Sequence, residues 1–129
     1  MRLAVYLQLA VAACGHAPPP PPAAAERPVG SAADLAGSWV TSDAMDFGYA
    51  LTIGKDGSYD LVIDRNRMGK CEQTGRLAGK ARAWQLTYQR DDCEHATGAA
   101  AVTIESFTGD ALTLAVGGDR RTYHRAPAQ

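Results

Sequence analysis

Residues 51–63 read Leu51-Thr52-Ile53-Gly54-Lys55-Asp56-Gly57-Ser58-Tyr59-Asp60-Leu61-Val62-Ile63, and this stretch decides the fold. Leu51 and Ile53 flank Thr52, while Tyr59, Leu61 and Ile63 alternate with Ser58, Asp60 and Val62. A period of two collects one apolar set on a single face of an extended chain. Between the runs, Gly54 and Lys55-Asp56-Gly57 supply residues that accept positive φ and suit a tight hairpin. The unit is two antiparallel strands sharing an apolar face.

The same pattern continues in both directions. Strands are expected near Ser38–Thr41, Phe47–Ile53, Ser58–Ile63, Cys71–Ala78, Ala83–Gln89, Ala99–Phe107, Ala111–Val116 and Arg120–His124. Gly79-Lys80, Thr108-Gly109-Asp110 and Gly117-Gly118-Asp119 are further turn signals. All seven prolines lie outside Val29 to Ala126, as hydrogen-bonded ladders require. The fold class is therefore all-β. Eight strands in a meander close into a small up-and-down antiparallel barrel, with a two-sheet sandwich of the same strands as the alternative. Ser31-Ala32-Ala33-Asp34 fits a capping box and a helical turn ahead of the first strand.

Leu35-Ala36-Gly37-Ser38-Trp39 resembles the G-x-W opening of lipocalin-like barrels. The resemblance implies a short helical turn leading into the first strand, a Trp that plugs one end, and an Arg from the last strand covering it. Arg120 or Arg121 is the expected cover. The domain is shorter than typical lipocalins, which implies a smaller interior. Small bacterial inhibitors of metalloproteases also share an L-x-G-x-W-V-like start and a compact barrel. Their paired cysteines fall close after the Trp, whereas here they come far later.

Residues 1–13, with Arg2 in front of an apolar run ending in small residues, follow a secretory signal pattern. The run is too short for a permanent membrane helix, which needs about twenty residues. Val11-Ala12-Ala13-Cys14 resembles the lipobox of bacterial lipoproteins, which implies that Cys14 becomes an acylated N-terminus carrying chains such as palmitate. Gly15 stands where an Asp would signal inner-membrane retention, so the resemblance points to the outer membrane, at its periplasmic face. Several acyl chains anchor stably without further membrane contact. Pro18 to Pro22 favour an extended spacer. The expected organisation is a signal peptide over 1–13, a lipidated Cys and Ala/Pro-rich linker over 14–33, and the barrel over 34–126.

The formal charge is −1, and removal of residues 1–13 takes away Arg2 and no acid, leaving −2. This balance points away from nucleic acid. With Cys14 assigned to the lipid, Cys71 and Cys93 remain as an expected disulfide in an oxidising compartment. Asp91-Asp92-Cys93-Glu94-His95 has metal-like composition but reads as a solvated loop carrying that disulfide. Arg65-Asn66-Arg67-Met68-Gly69-Lys70 is a basic loop that, if it converged with Arg120, Arg121 and Arg125, would meet an acidic partner such as lipopolysaccharide phosphate. No nucleophile elbow, phosphate loop or carboxylate pair stands out, so no catalysis, cofactor or metal is expected.

The expected function is a non-catalytic binding module for a small apolar ligand or an envelope component, with Trp39, Trp84, Tyr88 and Arg121 as ligand-binding candidates. The alternatives are a packed barrel that inhibits an envelope protease or lysozyme, and a structural accessory to a larger assembly. An apolar interior above roughly 300 Å³ would favour ligand binding, and a filled one inhibition or scaffolding.

Overall fold

The computed structural model describes residues 25–80 and 83–127. The signal segment, Cys14, His16 and the proline run lie outside the described residues. A 3-10 turn over Ala32–Leu35 leads into β1 (Gly37–Ser42), followed by β2 (Gly48–Ile53), β3 (Ser58–Asp64), β4 (Lys70–Lys80), β5 (Ala83–Asp91), β6 (Ala99–Phe107), β7 (Ala111–Val116) and β8 (Asp119–Arg125). They form a closed barrel in sequence order, so the sandwich alternative does not apply. Expected and observed strands agree to within two residues at each end, with β6 and β7 matching at both ends. The helical turn is also present. Asp34 Oδ2 accepts from the amides of Gly30 and Ser31 at 2.7 and 3.1 Å.

Alternation fills the interior. Leu51, Ile53, Leu61, Leu77, Leu86, Leu112 and Leu114 point inward and are at most 2% exposed. Burial of one such side chain stabilises by about 1.5–3 kcal/mol, so the packed interior is the main favourable term. Cys71 and Cys93 form a disulfide that ties the start of β4 to the loop after β5. Closing a loop of this length stabilises by about 3 kcal/mol in the chain-entropy model.

The connections fall into two sets because strand direction alternates. The chain entry and the turns at 54–57 and 108–110 close one end. The loops 43–47, 65–69, 92–98 and 117–118 surround the other. At the closed end Trp39 is fully buried, its Nε1 donating to Leu35 O at 3.0 Å and its ring meeting Phe107 edge-on at 6.2 Å. The Arg that covers it is Arg125, not Arg120 or Arg121. Its guanidinium lies 4.2 Å from the Trp39 ring centroid and donates to Ala36 O and Gly109 O, each at 3.0 Å. Arg125 is the last residue of β8, one beyond the expected strand. Gly37 makes room for it: with φ +140°, a Cβ there would run into the guanidinium.

Closure is uneven. β1 pairs with β8 only through Trp39↔Arg125 and Val40↔His124, whereas β1 pairs with β2 along its whole length. Above Val40, Thr41 and Ser42 have no ladder partner on β8 among the described residues. Arg125→Ala should lower stability by about 1–2 kcal/mol, by loss of the ring contact and two carbonyl partners. Urea titration followed by Trp fluorescence checks this, and an unchanged midpoint would contradict the latch.

Candidate functional site

At the open end, β8 turns Arg121 inward, two residues from the buried Tyr123 on the same face. The Arg121 guanidinium stacks 4.2 Å from the Tyr49 ring centroid and interacts with the neighbouring Tyr123 hydroxyl. Tyr49 is held in turn by Asp43, whose Oδ2 accepts from the Tyr49 hydroxyl at 2.8 Å. Asp43 Oδ1 accepts from the amides of Met45 and Phe47 at 2.9 and 3.0 Å, which fixes the 43–47 loop as a side-chain-capped turn. Desolvation works to raise the Asp43 carboxyl, but the Tyr49 hydroxyl, these two amides and the Arg121 charge outweigh it and hold it below its ordinary value. Among the described residues no carboxylate makes an ion pair with Arg121.

Arg121 separates two spaces. Inside the mouth is a chamber of about 140 Å³, walled by Tyr59, Ile63, Gln73, Tyr88, Val116 and Arg121, with Glu94 and Asp119 at its rim. Tyr59 is only 4% exposed and lines this chamber. On the other side, a groove of about 340 Å³ runs along the unpaired seam between Thr41, Ser42 and Asp43 on one bank and Arg120, Arg121 and Thr122 on the other, with Tyr49 between them.

The acidic run after β5 is loop architecture. Asp91 is buried, and its carboxylate accepts from the amides of Cys93, Glu94 and Ala96 at 2.8, 3.0 and 2.9 Å. Burial works to raise this carboxyl, and the amides of Glu94, Ala96 and Cys93 with the Gln73 side chain hold it below its ordinary value. Asp92 Oδ1 accepts from Glu72 N at 2.6 Å. On the outer surface Glu72 lies against Asp60, whose side chain and negative charge raise the Glu72 carboxyl.

The four sequence-derived candidates split between the two ends. Tyr88 and Arg121 line the chamber. Trp39 plugs the closed end, and Trp84, 4% exposed and paired with Gly79 and Val102, belongs to the core. The basic residues do not all converge. Arg125 sits at the closed end, Arg120 points outward to Glu105 Oε1 at 2.7 Å, and the 65–69 loop lies at the open end, where Asn66 Nδ2 donates to Asp46 O at 3.3 Å. Tyr49, Tyr59, Gln73 and Asp43 are site residues that the sequence reading missed. No family model, curated protein or solved structure matches the chain.

Burial raises all four described tyrosines. Tyr59 is pushed furthest, with Tyr123 and Tyr88 adding to the effect against Arg121; Asp43 adds at Tyr49, and Asp91, Glu94 and Asp119 add at Tyr88. A group whose folded pKa exceeds its unfolded value, about 10 for Tyr, contributes stability that is complete below that pH and lost as pH rises toward the folded value. Phenolate absorbance should therefore lag behind free tyrosine and appear together with unfolding above about pH 10. Non-cooperative titration centred near the ordinary value, with the barrel intact, would contradict this placement.

Proposed function

We propose that the protein is a non-catalytic binding module, anchored through lipid on Cys14 at the periplasmic face of the outer membrane, that recognises an extended segment of an envelope protein. The observation that carries this reading is the short β1–β8 ladder. Unpaired strand edges add a partner strand readily, because backbone hydrogen bonds supply affinity and flanking side chains supply selectivity. Here Thr41, Ser42, Arg120 and Thr122 offer those side chains. Occlusion of a protease or lysozyme would be one use of such a groove.

The packed interior weighs against the small apolar ligand. Pockets for such molecules run to about 300–1,000 Å³, and the chamber offers about 140 Å³ faced by hydroxyls, an amide and a guanidinium. A lipocalin-like kinship is supported by the Gly37-x-Trp39 entry and the Arg125 cover, which together reproduce the closed end expected of that family.

Two arms test the reading. Photo-crosslinkers at Ser42 and Thr122 in intact cells should trap the same discrete partner, while one at Gln85, on the opposite wall, traps none. Cys14→Ser should remove both the membrane association and the adduct. Equal labelling from Gln85, or a stoichiometric fatty acid retained by the purified protein, would overturn the proposal.

A further inference from the structure

The chamber inside the mouth has features that the groove does not explain. There a half-buried cationic side chain, without an ion pair among the described residues, and a tyrosine line the same cavity. Arg121 supplies the charge and Tyr59 the hydroxyl. Both present donors to the chamber, so it favours an occupant that accepts from them in place of water. A carboxylate suits both, because the guanidinium fork can donate twice and the phenol once.

The rim carries the opposite sign. Glu94 and Asp119 line the entrance, and both press on the Tyr88 hydroxyl, as does Asp91, while Arg121 opposes them. A dianion would be repelled as it passed these carboxylates. A molecule with an ammonium group beside its carboxylate would meet complementary charge at both depths. The volume, about 140 Å³, corresponds to a few waters at about 30 Å³ each, which admits alanine and excludes long side chains.

We propose that this chamber binds a small amino-acid zwitterion, its carboxylate on Arg121 and Tyr59 and its ammonium toward Glu94 and Asp119. The inference is independent of the groove reading, since it concerns the inner side of Arg121 rather than the seam.

Full-length protein in detergent micelles is titrated with L-alanine, and separately with acetate and with methylammonium, while NMR follows the tyrosine ring and arginine Nε signals. L-Alanine should bind saturably with Kd about 1 mM or tighter. Each half-molecule should bind at least about tenfold more weakly, since each lacks one charged partner. Arg121→Gln should weaken alanine by about tenfold or more, and Tyr59→Phe, which removes one oxygen and keeps the packing, by roughly fivefold. The proposal is overturned if alanine gives no saturable shift, if acetate binds as tightly as alanine, or if Tyr59→Phe retains the parent affinity.

Discussion

A closed sheet has to meet itself, and here it does so across two residue pairs, Trp39 with Arg125 and Val40 with His124. That junction cannot rest on its backbone bonds alone. It is reinforced by Trp39 as a plug, by the Arg125 guanidinium spanning the ring, Ala36 O and Gly109 O, and by a glycine that leaves space for it. The 3-10 turn belongs to the same device, because Leu35 O receives the Trp39 indole proton. Remove the latch and the first and last strands have little left to hold them in register.

The opposite end is built on other terms. Beyond the latch the two strands separate, and polar side chains take the place of a ladder: Asp43 holds Tyr49, Tyr49 carries Arg121, and Arg121 contacts Tyr123. A domain of this size has a modest core, so the latch and the disulfide supplement the packed interior, while the mouth presents polar groups to solvent. The Cys71–Cys93 disulfide and the amides gathered by Asp91 keep the mouth in shape without filling it.

Much of the fold could be read from the chain. Period-two alternation at Tyr59, Leu61 and Ile63, with Gly and Asp between runs, fixes strand positions because each turn type demands particular residues. The face of β8 stayed open between Arg120 and Arg121 in the sequence, and the burial of Tyr123 places Arg121 and Arg125 on the inward side. Ending the strand at His124 hid the second of them. The open seam could not be read, since ladder length between first and last strands depends on the stagger of the whole barrel. Tyr59 occupies a position that looks like core, and only three-dimensional placement leaves its hydroxyl facing a cavity. The Asp91–His95 segment reads as a solvated loop, but Asp91 is buried, and Asp91 and Asp92 accept from backbone amides.

The uneven closure of the barrel is the claim on which the proposed function turns, and residue-resolved amide exchange addresses it directly. The account expects the seam-facing amides of Thr41 or Ser42, and of the Arg120–Thr122 segment, to exchange orders of magnitude faster than amides of the β1–β2 and β7–β8 ladders, with slow exchange for Val40 and Arg125. Uniform protection along the whole of β1 and β8 on their facing edges would contradict it.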